Sequence, residues 1–391
     1  MSAKPIVTPF RIQVPQSVLE DIRERLQRTR WPVPAKGPDW ALGTSLPYMK
    51  HVVAHWLDHY DWRKWEARLN HFEQVLVDLD GKKVHCLIER GSGDNPMPLI
   101  MTHGWPGSPV ELMDMAERLA HPERFGGDAT DAFTVVIPGL PGCGFSDAPD
   151  GPVSPREVAA MWARLMRDAL GFDRYMVHGG DWGGVISSWH ALDFADEVIA
   201  LHGNNVMLNA VWSYADQPAD AEEIAHKERM DARQVGESAY QVVHGTRPLT
   251  AYYALTDSPT GLAAWILEKF YAWTPKDHDG FPPLDLDHLI TNIMFYWLGD
   301  AQAVSWMYRW LLNYEGFILP EGRRIDVPSG FCLFPDDCAV PPPDQKIRRS
   351  YNLIHVTRMP HGGHFPGIEH PVELADDILT FRRKVRELGH G

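Results

Sequence analysis

The chain has 391 residues, of which 44% are hydrophobic and 23% charged, and its formal net charge is −15. The length fits one large domain with insertions or two small ones, and the negative charge argues against nucleic acid and anionic membranes as partners. No apolar run approaches the roughly 20 residues that span a bilayer, and no secretory signal precedes the chain's first helix. The four cysteines form no CxxC pair. They predict reduced thiols in a cytoplasmic protein, without a disulfide framework or a metal site.

The first seventy residues predict a helical arm. Ser17 and Glu20 have the spacing of a capping box, which predicts a helix from Ser17 to about residue 29. A second helix is predicted over residues 46–59, where apolar side chains recur at helical spacing. This segment is too short to be an independent enzyme domain, so we expect it to be an arm on a larger one.

Strand-like runs alternate with helices from residue 72 onward. The predicted strands cover residues 72–79, 83–88, 98–102, 133–137, 175–178, 198–202, 329–334 and 353–359. Asp80-Gly81 between the first two is a hairpin signal. The predicted helices begin near residues 110, 157, 185 and 372. This alternation predicts an α/β fold with a mostly parallel central sheet and helices on both faces, and with ligands at the carboxyl ends of the strands.

The alternation stops in a stretch of more than one hundred residues that predicts helices only and is rich in tryptophan and tyrosine. A helical block inserted into an α/β core is expected to be a lid over the active site. The predicted divisions are therefore a helical arm (1–70), the first part of the core (71–207), the helical lid (208–325) and the second part of the core (326–391).

A glycine-rich segment places Asp181 at the apex of a sharp strand-to-helix turn. Small residues flank it two positions away on both sides, where larger side chains would clash in so tight a turn. The pattern is that of the nucleophile elbow of α/β hydrolases, with aspartate in the place of serine. A glycine-rich connection with a solvated aspartate is the alternative. Ser187 and Ser188 fall inside the following helix, which disfavours a serine esterase.

Two polar residues follow later strands at the same edge of the sheet. Asp337 follows the strand that ends near residue 334, and His364 follows the last strand. Nucleophile, acid and histidine then occur in the chain order of the α/β-hydrolase triad, with His364 as base and Asp337 as its orienting acid. On spacing alone, Asp336 is an alternative acid and His361 an alternative base.

A carboxylate nucleophile implies attack on a saturated carbon, which gives a covalent alkyl ester that His364-activated water hydrolyses. The oxyanion of the second step needs two backbone donors. The sequence predicts the N–H groups of Trp182, directly after the nucleophile, and of Trp105, in a His-Gly-Trp-Pro loop. A cis bond between Trp105 and Pro106 is also predicted, since cis bonds are largely confined to proline in tight turns.

The leaving group distinguishes two functions. An epoxide oxygen needs a proton donor such as a lid tyrosine, whereas a halide needs N–H donors such as those of Trp105 or Trp182. The first case is an epoxide hydrolase and the second a haloalkane dehalogenase. The tyrosines of the predicted lid include Tyr240, Tyr252, Tyr253, Tyr271, Tyr296, Tyr308 and Tyr314. A non-catalytic α/β-hydrolase fold that serves as a binding module is the alternative from another class.

Several segments together resemble the microsomal-type epoxide hydrolases. The similar segments are residues 9–15, 26–31 and 60–70 of the arm, 103–106, 139–146 and 179–183 of the core, and 257–270 of the lid. The resemblance implies conversion of epoxides to vicinal diols without a cofactor. It assigns the nucleophile to Asp181, the acid to Asp337 and the base to His364. It also implies that Tyr240 and Tyr308 polarise the epoxide oxygen.

The resemblance and the composition also suggest partners. Abundant aromatic residues predict an apolar pocket, so a small apolar epoxide and water are the expected substrates. The animal members of the family carry an N-terminal membrane anchor, and this sequence shows no such segment. We therefore expect a soluble, cytoplasmic enzyme with a detoxifying role, and a homodimer is among the expected assemblies.

Overall fold

The computed structural model describes residues 4–34, 36–209, 218–276, 280–312 and 316–390. Within these ranges the strands are β1 (Ile6–Pro9), β2 (Glu73–Leu79), β3 (Lys82–Glu89), β4 (Met97–Thr102), β5 (Phe133–Pro138), β6 (Tyr175–Gly179), β7 (Val198–Gly203), β8 (Ile325–Leu333) and β9 (Tyr351–Arg358). The helices are α1 (Gln16–Gln27), α2 (Leu46–Asp58), α3 (Trp62–Leu69), α4 (Pro109–Ala120), α5 (Pro155–Arg164), α6 (Trp182–Asp193), α7 (Ala221–Glu237), α8 (Ala239–Thr246), α9 (Pro248–Leu255), α10 (Pro259–Trp273), α11 (Leu286–Leu298), α12 (Ala301–Ser305), α13 (Tyr308–Leu312), α14 (Asp344–Ser350), α15 (Pro366–Glu369) and α16 (Pro371–Glu387).

The strands of the described residues form one sheet in the order β1-β2-β3-β5-β4-β6-β7-β8-β9. The first three pairs in this order, which join β1, β2, β3 and β5, are antiparallel. The remaining five pairs, from β5 through β4, β6, β7 and β8 to β9, are parallel. The predicted mostly parallel α/β sheet is therefore confirmed. Thr102 pairs with Gly179, which pairs with Gly203, which pairs with Phe331. Because these strands end in register, the loops that follow them meet at one edge.

The central strands are buried throughout, which explains their continuous apolar sequences. Every residue of β5, β6 and β7 is buried, as expected of parallel strands covered on both faces. Helix α5 packs on α6, and α4 packs on α16. Each fully buried valine, leucine or isoleucine contributes roughly 1.5–3 kcal/mol. The loops that follow these strands, among them the one that carries Asp181, therefore start from a fully buried part of the sheet.

The arm differs from the prediction in its details. The predicted capping box of Ser17 and Glu20 is wrong, because α1 begins one residue earlier, directly after Pro15, with no side-chain cap. Glu20 instead accepts a hydrogen bond from Gln16 Nε2 at 3.3 Å. The helix ends at Gln27, not at residue 29. Helix α2 is present nearly as predicted, whereas α3 and the edge strand β1 were not predicted.

Seven helices, α7 to α13, lie between β7 and β8 in the described part of the chain. The arm supports this helical insertion through polar contacts. His55 Nε2 lies 2.6 Å from Asp287 Oδ1, and Thr44 donates a hydrogen bond to the Ala264 carbonyl at 2.7 Å. Arg25 pairs with the Asp257 carboxylate at 2.9 Å. None of the described helices combines the length and apolar character needed to cross a membrane.

Candidate active site

Asp181 stands at the apex of a strained turn between β6 and α6. Its backbone has φ 51° and ψ −129°, a region that residues with a side chain rarely adopt. The turn closes tightly because Gly183 has no side chain: a Cβ there would lie 1.8 Å from the backbone oxygen of Thr102. The backbone therefore has the elbow form that the glycine pattern predicted, and it presents the Asp181 carboxylate at the carboxyl edge of the sheet.

The loop after β4 reaches over this carboxylate. The backbone N–H of Trp105 donates a hydrogen bond to Asp181 Oδ1 at 2.9 Å. A Cβ at Gly104 would lie 2.4 Å from that oxygen, so only glycine permits the approach. The Trp105–Pro106 bond is cis, as predicted. The backbone N–H of Trp182 is the first amide of α6, and a helix leaves its first amides unpaired within the helix.

His364 lies between two carboxylates. Its Nδ1 is 2.6 Å from Asp337 Oδ1, and its Nε2 is 3.5 Å from Asp181 Oδ2. The side chains of His364 and Asp337 are almost completely buried. The alternative acid Asp336 and the alternative base His361 are both exposed. The structure thus brings together the three residues that the chain order predicted.

Asn205 joins the two aspartates and was missed by the sequence argument. Its Oδ1 accepts the Asp181 backbone N–H at 3.2 Å, and its Nδ2 donates to Asp337 Oδ2 at 3.4 Å. Asp337 Oδ1 also accepts the Ala339 backbone N–H at 2.8 Å. The place of Asn205 just after β7, at the carboxyl edge of the sheet, is the sequence signal that could have identified it.

The charges around His364 favour its protonated form. Burial opposes that form, but the carboxylates of Asp337 and Asp181 outweigh it and hold the pKa of His364 above its ordinary value. Cys338 Sγ lies 3.3 Å from His364 Nδ1. Its thiol keeps its proton at neutral pH, because burial raises the pKa of Cys338 to about 11. The two carboxylates are therefore the charges that matter for the imidazole.

Tyr240 and Tyr308 project from the helical insertion toward the same place. Their side chains are 6% and 2% exposed, and their ring centroids are 5.5 Å apart. The ring of Tyr240 stacks on that of Trp105 at 4.9 Å, while Tyr308 meets the Trp182 ring edge-on at 4.9 Å. The Tyr308 hydroxyl has no hydrogen-bond partner among the described residues. Burial raises the pKa of both phenols well above its ordinary value, so both remain donors at neutral pH.

Other tyrosines of the predicted lid either make contacts typical of a structural role or are exposed to solvent. Tyr296 donates a hydrogen bond to the Gly107 carbonyl at 2.7 Å, and Tyr271 stacks on Trp40 at 3.7 Å. Tyr253 is 75% exposed. Tyr252 is buried beside His244. Tyr314 lies outside the described residues.

Asp181 and the two phenols line one cavity of about 40 Å³. Most of its wall is aromatic or aliphatic, with Trp182, Trp273 and Phe317 among the lining side chains. His364 also lines this cavity. A carboxylate, an imidazole and two phenols thus converge on a largely apolar cavity, which is the arrangement expected of a site for a small apolar substrate. The remaining polar residues that line it are Arg233, Gln234, Glu237, Ser238 and Gln241.

Two carboxyl groups behind the triad were not identified from the sequence. Glu369 accepts the backbone N–H groups of Gly363 and Phe365, both at 2.8 Å, and so fixes the segment that carries His364. Glu111, in the first turn of α4, lies against the loop after β4. Burial raises the pKa of Glu111 to about 8 and that of Glu369 to about 7.

Two groups of side chains have donor atoms close enough to share a metal ion. Asp337, Cys338 and His364 form one group, and their donor atoms lie within 4.8 Å of one another. The second group lies beside the first and consists of His361, His370 and Glu373. In the first group the carboxylate and the imidazole already bond to each other.

The fold and this geometry define the class of protein: an α/β hydrolase with an aspartate at the nucleophile elbow. Comparison with known proteins narrows the class. The chain matches the family described as "Epoxide hydrolase N terminus" over residues 7–112 and the family described as "alpha/beta hydrolase fold" over residues 97–223. It is 32% identical to Juvenile hormone epoxide hydrolase 1 of Ctenocephalides felis, over 97% of this chain and 86% of that protein.

Epoxide hydrolase 1 of Oryctolagus cuniculus is 31% identical, over 96% of this chain and 88% of that protein. The solved structure of Aspergillus niger epoxide hydrolase superposes with a TM-score of 0.84 at 29% identity, covering 98% of each chain. The chain therefore belongs to the epoxide hydrolase family of enzymes.

Proposed function

We propose that this enzyme converts a small apolar epoxide to a vicinal diol through a covalent alkyl ester on Asp181. The observation that carries the proposal is the convergence of a carboxylate and two buried phenols on one apolar cavity. A carboxylate can displace the ring oxygen from carbon, and a phenol can hold and protonate that oxygen. We further propose that the helical insertion acts as the lid, since it supplies Tyr240 and Tyr308 and covers Asp181.

In the first half-reaction, Asp181 attacks a ring carbon. Trp105 holds Oδ1, which leaves Oδ2 to form the new bond. The C–O bond of the ring breaks, and its electron pair goes to the ring oxygen. Tyr240 and Tyr308 donate hydrogen bonds to that oxygen, and one of them transfers its proton to it. The product of this step is a hydroxyalkyl ester of Asp181 with one tyrosine deprotonated.

Ester formation prepares the base for the second half-reaction. The ester carries no charge, so one of the carboxylates that raise the pKa of His364 is lost. The imidazolium now releases its proton to solvent more easily, and the neutral imidazole that results accepts a proton from water while Asp337 stabilises the imidazolium formed. The resulting hydroxide adds to the ester carbonyl, and the Trp105 and Trp182 N–H groups hold the oxyanion.

Collapse of this intermediate breaks the bond between the Asp181 carbonyl carbon and the alkyl oxygen, which releases the diol. The oxygen of the water remains in Asp181. The two protons of the water go to the alkyl oxygen and to the deprotonated tyrosine. The free enzyme is thereby restored without a cofactor taking part in any step.

A single turnover in ¹⁸O-labelled water tests this route. Enzyme in excess is mixed with an aryl or alkyl epoxide, and the diol and the peptide that contains Asp181 are analysed by mass. We expect an unlabelled first-turnover diol and label in Asp181. A labelled diol with unlabelled Asp181 would mean direct attack by water and would contradict the proposal.

Single substitutions test the role proposed for each residue of the site. Asp181→Ala should abolish turnover, whereas Asp336→Asn, a change in an exposed neighbour of the acid, should preserve it. His364→Gln should allow the ester to accumulate. Tyr240→Phe and Tyr308→Phe should slow ring opening. Normal turnover by Asp181→Ala would refute the mechanism, and halide release from chloroalkanes without epoxide turnover would favour a dehalogenase instead.

A further inference from the structure

A buried lysine lies against one of the two phenols. Lys269, on α10, is only 6% exposed, and its Nζ is 4.8 Å from the centroid of the Tyr240 ring. It is also 5.6 Å from the ring of Trp273. No cation has such a contact with the ring of Tyr308 among the described residues. The two phenols therefore differ in their electrostatic surroundings.

Two carboxylates hold the ammonium in place. Lys269 Nζ lies 2.6 Å from Glu268 Oε2 and 3.1 Å from Glu237 Oε2. Glu237 also accepts a hydrogen bond from Trp273 Nε1 at 3.2 Å. A charged group with few rotamers left open acts at a fixed distance, which is a requirement for electrostatic stabilisation of a transition state.

The other groups that face Tyr240 come from several elements. Asp181 disfavours negative charge on the phenol, and Tyr308 lies beside it. Gln241 donates a hydrogen bond to the Tyr240 oxygen at 3.2 Å. Arg233 and His364 line the same cavity as Tyr240, but Lys269 is the cation that contacts the Tyr240 ring, and its own two carboxylates weaken its field.

We propose that the Lys269 ammonium stabilises the negative charge that Tyr240 acquires during ring opening, so that Tyr240 transfers its proton to the epoxide oxygen while Tyr308 only donates a hydrogen bond. This inference rests on the proposed function. It assigns to Tyr240 the proton transfer that the proposed function leaves open between the two tyrosines. The ring C–O bond breaks, the electron pair goes to oxygen, and the Tyr240 proton follows it. Lys269 acts through Tyr240 and is a positioning residue.

The negative charge of a phenolate is shared with its ring, so a cation against the ring lowers the energy of proton transfer. For unit charges about 6 Å apart in a partly screened interior, the stabilisation corresponds to roughly 10- to 100-fold in rate. The effect belongs to ring opening alone, because ester hydrolysis does not require Tyr240 to lose a proton.

The test compares Lys269→Met, which removes the charge, with Lys269→Arg, which keeps it. Ester formation and ester hydrolysis are timed separately with enzyme in excess, by acid quench and mass analysis, using styrene oxide. Lys269→Met should slow ester formation roughly 10- to 100-fold and change hydrolysis less than about twofold. Lys269→Arg should recover most of the loss. If Lys269→Met does not fold, Lys269→Gln takes its place.

A double-mutant comparison separates electrostatics from packing. In a Tyr240→Phe background, Lys269→Met should have no further effect on ester formation, whereas in a Tyr308→Phe background it should keep its full effect. An equal loss in both backgrounds would overturn the inference, as would an unchanged rate in Lys269→Met. If the wild-type enzyme forms no ester with any epoxide, the proposed function itself fails.

Discussion

Replacing Glu111 by glutamine should stabilise the protein at alkaline pH and leave its stability at acidic pH nearly unchanged. Burial raises the pKa of Glu111 from 4.5 to about 8. In the unfolded chain the carboxyl loses its proton near pH 4.5, whereas in the folded protein it keeps that proton until about pH 8. Between these values the unfolded state is favoured increasingly as the pH rises, because it binds fewer protons.

The size of this loss of unfolding free energy follows from the pKa shift of Glu111. Each pKa unit corresponds to about 1.36 kcal/mol, so the full shift would cost roughly 5 kcal/mol above pH 8. The Glu111 side chain keeps some accessible surface. Water that reaches it stabilises the ionised form and reduces the cost, so we expect about 2–4 kcal/mol. Glutamine has nearly the same shape but cannot ionise, and it avoids this cost.

Urea unfolding at pH 5, 7 and 9 measures the difference. The free energy of unfolding of Glu111→Gln relative to wild type should rise from near zero at pH 5 to about 2–4 kcal/mol at pH 9. Glu117→Gln, on the exposed side of the same helix, is the matched control and should show no such trend. A difference that is the same at all three pH values would refute the reasoning.

Three further predictions concern Gly183, Asn205 and three buried histidines. Gly183→Ala should cost about 3 kcal/mol or more of unfolding free energy and most activity, because its Cβ would lie 1.8 Å from a backbone oxygen of β4; wild-type-like urea curves would disprove this. Asn205→Ala should lower turnover and cost about 1–3 kcal/mol of unfolding free energy, since it removes the hydrogen bonds of the Asp181 backbone N–H and of the buried Asp337 Oδ2. His85, His190 and His244 should each destabilise the protein below pH 6.5, because burial lowers the pKa of each to about 3. Each should cost roughly 2 kcal/mol at pH 5, so replacing one of them by asparagine should remove that part of the change in unfolding free energy between pH 7 and 5; a variant with the same pH dependence as the wild type would contradict this.

The parallel part of the sheet was predictable because its strands are buried on both faces. The largely apolar runs of β4 to β7, each followed by glycine or a polar residue, mark both the strand and the edge at which it ends. Local capping rules were less dependable. Ser154 and Glu157 form a real capping box in which both reciprocal hydrogen bonds are present. Ser17 and Glu20 have the same spacing but do not, because the helix begins directly after Pro15.

Spacing along the sequence could not identify side chains that come together from different helices or strands. Eight tyrosines of the predicted lid are alike in sequence, and resemblance to a family, not periodicity, selected Tyr240 and Tyr308. Lys269 and Tyr240 lie on different helices, and their side chains meet only in the folded helical insertion. Glu111 is similar, because an acidic residue in the first turn of a helix is ordinary until packing buries it.

The charges of the site impose an order on the proposed reaction. With Asp181 ionised, His364 lies between two carboxylates that favour its protonated form, so in the resting enzyme the proposed base is occupied by a proton. Alkylation of Asp181 removes one of these charges and creates the ester that is to be hydrolysed. Neutral imidazole therefore becomes available only after the ester exists. Asp337 keeps its charge throughout, which explains why the acid is buried against His364 while the nucleophile faces the cavity.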